Sequence, residues 1–559
     1  MINASYGEDK KITQSPNHSI TKSPNHQITK SPPGSLYSKL QKAMEERLAQ
    51  RDFGYDVKGT KRNFVITFEL VPARASKGKA IDEILQFAKE AAADGLISAL
   101  SITDNAGGHP ALTPRALGSE IMALGIDPII HFSCKDKNRN LVESQLFVLD
   151  RSGLKNLLVL TGDYPRYGFM GNAKPVFDLD SVQVLDMISH MNQGFVLDSR
   201  APFGGVKLAP MDFHAGCVVS PFKRLESELI PQYLKLKRKV AAGASFVITQ
   251  MGWDVRKFDE LRRFMDREGL RVPLIGTVFI PTTGLAKTLC RGEIPGCILP
   301  DRLLERMEQE AISDDQEGDP RLERAARLVS ILKGIGYEGV HLSGPGLKYS
   351  HVRWVIERAN DISERWKLFT CQFLFPEEWK FWYFKEDPET WLNYDKPTPG
   401  SEVSLSLRDS LGLSLGRLFH ELAFEPGKPL FNSLRRIAGW IDGSSSKKHF
   451  TSFEYWLKEW LYDCRRCGDC ALGEMGFLCP QSQCSKFLLN GPCGGSRDGW
   501  CEVWPGRQRC FYVKVYERLQ SLGKQERLGG PRIPPREWTL DSTSSWLNFY
   551  LGRDHHGIG

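Results

Sequence analysis

The sequence predicts an α/β protein: a (β/α)8 barrel followed by a small cysteine-rich metal or iron-sulfur domain. Three observations carry that reading. Short apolar, β-branched runs alternate with amphipathic stretches from Asn63 to about Asp361, the runs can be counted to eight, and eight of the 13 cysteines crowd between Cys464 and Cys510. A chain of 559 residues is also too long for one ordinary core, so at least two domains are expected.

Residues 1–35 repeat ITQSPNHS, ITKSPNHQ and ITKSPPGS. The stretch is rich in Ser and Pro and has no apolar face to offset its ordering entropy, so a disordered tail is expected. The barrel is placed at 60–361. Seven of its runs are FVITFEL, LISALSIT, DPIIHFS, NLLVLTGD, SFVITQM, VPLIGTVFI and EGVHLSG, and the segment from Gly205 to Gly216 supplies the eighth. Helix-like stretches such as AIDEILQFAKEAAADG lie between them, the pattern of a parallel sheet with crossovers. An open doubly wound sheet is the alternative, but no G-x-G-x-x-G follows an early strand.

Residues 362–405 read as a Trp- and Phe-rich connection and linker ending in DKPTPGSEVS. Residues 406–525 read as a helical and cysteine-rich metal or iron-sulfur domain, and 526–559 as a C-terminal tail. A hydrophobic content of 41% with 25% charged residues is ordinary for a folded chain. The net charge of +7 is modest, and the cysteine block carries no continuous basic stripe, so a nucleic-acid partner is not expected. Nor does the chain carry the apolar run of about eighteen residues that membrane insertion needs. The cytoplasm is the expected compartment, and there a cysteine cluster more often binds metal than forms disulfides.

In such a barrel, polar side chains at the C-terminal ends of strands meet the substrate. Those positions hold Glu69, Thr103, Asp104, His131, Asp136, Asp163 and Gln250. Glu69 follows apolar and β-branched residues, so burial is expected to raise its pKa and keep a proton available; a salt-bridged rim carboxylate is the bland reading. Lys239, with Lys235, Lys237 and Arg238 beside it, could neutralise an anionic ligand or simply form a solvated helix face.

The strand-end segments ITFELVPA, SITDNAGG, HFSCKD and LVLTGDYP, followed by LKRKVAAGASFVITQ, resemble in order the methylenetetrahydrofolate reductase family over roughly residues 60–360. The resemblance implies reduction of 5,10-methylenetetrahydrofolate to 5-methyltetrahydrofolate by a flavoenzyme of one-carbon metabolism. Catalytic roles then fall to Glu69, as acid, and Asp163. Thr103, His131, Asp163 and Lys239 would contact the flavin, and Gln250 would bind the folate. Thr161 stands where the family usually has Arg, and AGCVVSP around Cys217 lacks the Tyr and His of better-known members, so FAD and FMN both remain open.

The cysteine block reads CRRCGDC, CPQSQC and NGPCGG, then Cys501 and Cys510. Its eight thiols, Cys464, Cys467, Cys470, Cys479, Cys484, Cys493, Cys501 and Cys510, are enough for two four-thiolate sites. The spacing admits a 4Fe-4S cluster, with zinc as the alternative. The block resembles the cysteine-rich C-terminal domain found with methylenetetrahydrofolate reductases of anaerobes and related bacteria. That resemblance implies electrons arriving from a ferredoxin-like carrier, another redox protein or NAD(P)H, and an oligomer is possible. A folate-binding methyl-transfer or docking component with a structural zinc domain is the competing function.

Overall fold

The computed structural model describes residues 34–51, 63–196, 204–312, 318–403, 405–425 and 427–557. The repeats of the N-terminal tail therefore lie outside the described residues. Eight parallel strands close a barrel in sequence order: β1 (Val65–Leu70), β2 (Ala99–Ile102), β3 (Asp127–Ser133), β4 (Asn156–Leu160), β5 (His214–Val219), β6 (Phe246–Thr249), β7 (Leu274–Phe279) and β8 (Gly339–Ser343), which pairs back onto β1. The expected (β/α)8 barrel is present. Its fifth strand lies slightly downstream of the glycine-bounded segment expected to form it, because the apolar residues Ala215 to Val219 begin only there.

Inside the barrel Val65, Ala99, Ile129, Leu158, Phe246, Ile248 and Ile275 form one buried layer. Leu36 and Leu40, from the helix Leu36–Arg51, pack against it and close the N-terminal end. The plug is pinned by the Leu36 N–H donating to Asp127 Oδ2 at 2.7 Å, by Tyr37 stacked on His214 at 4.2 Å, and by Arg47 paired with Glu338. With one mouth filled, only the C-terminal ends of the strands remain as a site.

The aromatic stretch after the barrel is a packed element instead of a free linker. Phe373, Phe375, Trp379, Phe381 and Phe384 are buried in the barrel's own core. The helix Val255–Arg267 supplies the polar half of that contact. Asp254, at its N-cap, accepts from the Phe375 N–H at 3.0 Å and the Trp379 indole at 2.8 Å, while Lys257 donates to Phe381 O at 2.9 Å. Trp and Phe side chains carry too much apolar surface to stay in water when a barrel flank is available.

The C-terminal part holds the helices Leu407–Ala423, Pro429–Asp442, Lys447–Tyr462 and Phe511–Ser521, with cysteine-bearing loops between the last two. The segment after residue 526 packs onto it through Leu547 and Tyr550, which share a core with Ala438. Among the described residues no helix is long and apolar enough to cross a membrane.

Candidate functional site

A cavity of about 280 Å³ opens at the C-terminal mouth of the barrel. Every strand contributes to it: Glu69 from β1, Thr103 after β2, His131 from β3, Asp163 after β4, Ser220 after β5, Gln250 after β6, Thr277 from β7 and His341 from β8. The expected residues Glu69, Thr103, His131, Asp163, Lys239 and Gln250 thus meet in one place, together with Asp104.

Three buried polar atoms on this wall, Thr103 Oγ1, Ser220 Oγ and Gln232 Nε2, have no hydrogen-bond partner. Orphaned polar groups are costly when buried, and a ligand offering hydroxyl, carbonyl and ring-nitrogen groups would satisfy them. The cavity fits a polar heteroaromatic ligand of the flavin or pterin kind.

Glu69, His131 and His341 bring one carboxylate oxygen and two imidazole nitrogens within 4.8 Å of one another. Glu69 Oε2 lies 3.5 Å from His341 Nε2. His341 Nδ1 is 2.8 Å from Thr67 Oγ1, and Thr67 Oγ1 also lies 3.3 Å from the Val340 carbonyl, to which it donates. Thr67 Oγ1 thus stands between two partners, and with the ring proton on Nε2 His341 donates toward the Glu69 carboxylate.

The expected upward shift of Glu69 is reversed. Burial pushes its carboxyl up, but His341 hydrogen-bonded to it, with His131 nearby, brings it below the usual carboxylate range. Burial is legible in the strand's own sequence, whereas the partner on β8 is not. His131 moves down to about 4, chiefly through burial, and so stays neutral, with Nε2 2.6 Å from Ser101 Oγ.

Asp163 Oδ2 accepts from the Gly107 N–H at 2.7 Å, which fixes its carboxylate at the cavity edge. Asp104 is held by Ser133 Oγ at 2.6 Å and Lys137 Nζ at 2.9 Å and is turned into the rim's own network. Gln250 Oε1 accepts from the Met251 N–H at 2.9 Å. Lys239 donates to Val218 O at 2.6 Å, and burial lowers its pKa to about 8.

The lysines near Lys239 do not join it in an anion site. Lys237 pairs with Glu268 at 2.7 Å, Arg238 donates to Gly530 O at 3.0 Å, and Lys235 donates to Pro492 O at 3.0 Å and Gly491 O at 3.2 Å. Two of these three cations hold the C-terminal region against the barrel.

That docking brings the cysteine module to the barrel mouth. Lys223 donates to both Gly494 O and Ser496 O at 2.6 Å, and Asp180 accepts from the Asn490 N–H and side-chain amide, each at 2.9 Å. The NGPCGG loop therefore lies on the rim. Gly491 sits at φ +126° with Lys235 packed where a side chain would be, and at Gly495 a Cβ would collide with the Glu502 carboxylate. Lys486 donates to Gly162 O at 2.7 Å and is ion-paired with Glu502, and Lys486, Glu502 and Cys493 all line the barrel cavity. Sequence reasoning missed Lys486, Glu502, Gln232 and His341, because each reaches the cavity only through tertiary contacts.

The eight thiols sort into two sets of four. Cys464, Cys467, Cys470 and Cys479 surround one cavity of about 20 Å³; Cys484, Cys493, Cys501 and Cys510 surround another of about 20 Å³, with Lys486 and Glu502 in its wall. We call them the distal and proximal sets, since only the proximal one shares a wall with the barrel cavity. None of the cysteines is disulfide-bonded. Burial pushes Cys464 up to about 11 and Cys467 and Cys493 up to about 12, so a cationic metal is what would draw them into thiolate form. Lys458 donates to Cys470 Sγ at 3.2 Å, a cation already in place for such charge. Among the described residues, the groups that bring three ligand atoms within 4.8 Å of one another include none of these cysteines.

The family model described as "Methylenetetrahydrofolate reductase" matches residues 55–347, and a second, "Methylene-tetrahydrofolate reductase C terminal", matches residues 444–539. The chain is 27% identical over 225 residues to Methylenetetrahydrofolate reductase 2 of Saccharomyces cerevisiae, covering 39% of this chain and 34% of that one. It is 22% identical over 312 residues to Methylenetetrahydrofolate reductase 1 of Schizosaccharomyces pombe, covering 54% and 47%. It thus spans between a third and a half of the length of these two relatives. Among solved structures, an uncharacterized protein from Clostridium thermocellum that binds two copies of 5-methyl-5,6,7,8-tetrahydrofolic acid overlaps it at 14% identity and a TM-score of 0.37, covering 57% of this chain and 99% of that one. With the first family model spanning more than half of its residues, the chain belongs to the methylenetetrahydrofolate reductase family.

Proposed function

We propose that this chain reduces 5,10-methylenetetrahydrofolate to 5-methyltetrahydrofolate with a bound flavin, FAD or FMN, and that electrons arrive through the cysteine module from a one-electron carrier of the ferredoxin type in the cytosol. The observation that carries this reading is the shared wall: Lys486, Cys493 and Glu502 line both the barrel cavity and the proximal thiol set. Bound flavin would supply hydride, and an iron-sulfur cluster at each thiol set would supply single-electron transfer.

Two sets of four thiols match the ligand count of two four-thiolate sites, and of the groups such sites hold, only an iron-sulfur cluster passes single electrons.

The chain's own residues then have the following work. Glu69, with His341 Nε2 3.5 Å from its Oε2, stands at the mouth where the bridging methylene of the substrate must be released from one nitrogen, and would pass a proton there. Because His341 and His131 hold its carboxyl below the usual range, it would work together with His341 and not as an isolated carboxylic acid. Asp163, fixed by the Gly107 N–H, places negative charge where the opening substrate becomes cationic. Thr103, Ser220 and Gln250 orient the rings by hydrogen bonding. Lys239, its charge disfavoured by burial, gains most from an anionic ligand group. The buried Lys486–Glu502 pair stands in the wall between the barrel cavity and the proximal thiols, with Cys493 beside it.

Anaerobic purification followed by a spectrum and a turnover assay tests this. A flavin band near about 450 nm and formation of 5-methyltetrahydrofolate with a low-potential one-electron donor are expected. A colourless protein that binds folate without reducing it, with zinc in both thiol sets, would replace this reading by the docking or methyl-transfer component.

A further inference from the structure

A third cluster of ligand-type side chains lies outside both the barrel cavity and the thiol sets. His555 and His556, near the end of the chain, meet Glu474 from the loop that follows the first cysteine run. Glu474 Oε1 is 2.7 Å from His556 Nε2 and 3.5 Å from His555 Nε2. The three ligand atoms lie within 4.8 Å of one another.

The outer nitrogens are held as well. His555 Nδ1 is bonded to Asp469 Oδ1, and His556 Nδ1 is 3.0 Å from Asp554 Oδ2. Metal-bound histidines are typically oriented in this way: one ring nitrogen is fixed by a carboxylate so that the other presents its lone pair. The two imidazoles lie with ring centroids 4.0 Å apart, and both Nε2 atoms converge on one carboxylate oxygen.

An independent observation points to an occupant. His555 is only 7% exposed, and its Nε2, directed at Glu474, has no hydrogen-bond partner. An unpaired buried imidazole nitrogen costs free energy that a bound cation would recover. The side chains of Glu474 and His556 are 30% and 36% exposed, which leaves an approach from solvent and room for water ligands.

We propose that Glu474, His555 and His556 form a binding site for one first-row divalent cation, zinc being the probe of choice, with Asp469 and Asp554 as the positioning carboxylates. Two nitrogens and one oxygen with open positions are a donor set that zinc and ferrous iron both accept. Asp469 lies between Cys467 and Cys470, and Asp469 and His555 both line the distal thiol cavity. The cation would tie the chain's last turn to the loop that presents the distal thiols. The site does not depend on the proposed reductase reading.

The full-length protein, loaded anaerobically and dialysed against metal-free buffer, should retain one zinc per chain beyond whatever its cysteines hold. His556→Ala and Glu474→Gln should each lose that one equivalent and keep iron, sulfide or zinc at the cysteines unchanged. Asp554→Asn, which touches no metal, should weaken zinc binding by roughly 10- to 100-fold. Added zinc should raise the melting temperature of the parent protein and not that of Glu474→Gln, a readout independent of whether His556→Ala folds well. Equal metal content in parent and variants, or a melting temperature indifferent to zinc, would overturn the site and leave the cluster as a protonated ion-pair network.

Discussion

The barrel and the cysteine module are built on opposite principles. In the barrel, eight strands and an apolar layer fix the positions of Glu69, His131 and His341 before any ligand arrives. In the module the two thiol sets are carried on loops, with Asp463, Arg466, Phe477, Phe487 and Asp498 all at positive φ, a backbone that non-glycine residues adopt only under local constraint. The barrel is preorganised by burial, while the module presents its thiols from loops. Their stability should therefore respond to different agents, and exchanging single residues in each tests where one ends and the other begins.

The largest effect is expected at the module. Cys493→Ser, in the proximal set, should abolish turnover driven by a one-electron donor while leaving the flavin complement unchanged, measured as donor-driven methyltetrahydrofolate formation against flavin absorbance. If the two regions are as separable as this comparison holds, photochemically reduced flavin in that variant still reduces folate; loss of both activities would make the module part of the reacting site itself.

Next in size is the barrel's proton. Glu69→Gln should lower folate reduction by at least about a hundredfold with flavin binding intact, read from single-turnover reduction of methylenetetrahydrofolate. Because His341 Nε2 faces Glu69 Oε2, His341→Gln should produce a loss of similar scale, and near-normal turnover in either variant would contradict the pair.

How much of this was legible in the sequence follows the same division. Strand ends of a barrel face one mouth, so Glu69, Thr103, His131, Asp163 and Gln250 could be gathered from runs of apolar residues alone. His341 stood in such a run, EGVHLSG, and its place opposite Glu69 depended on β8 closing against β1, a contact across 274 residues of chain between Thr67 and His341. The helix Leu36–Arg51 was missed because its burial is supplied by the barrel floor, and the aromatic residues of 362–405 were visible while the barrel flank that buries them was not. In the module the thiols were visible and their division into two sets was not, since loop geometry leaves no periodicity to read.

A smaller effect is expected at the barrel's buried cation. Lys239→Ala should weaken flavin retention by about tenfold, the scale of one charge-assisted hydrogen bond, and a full flavin complement after gel filtration and dilution would count against it.

The last concerns acid stability of the barrel alone. His131 titrates at about 4 when folded against an ordinary 6.5, so between those values the unfolded chain binds a proton that the folded one does not. Stability should fall as pH drops through that window, by up to about 1.4 kcal/mol per pH unit, and His131→Asn should flatten that slope in denaturant titrations without altering the metal content of the module.

The central claim is that the module feeds electrons into the barrel, and quantifying iron, acid-labile sulfide and zinc in anaerobic protein while comparing donors tests it most directly. The account predicts about four irons per thiol set, with a low-potential one-electron donor supporting faster turnover than NADH. Zinc in both sets, no iron, and brisk NADH-driven turnover would contradict it.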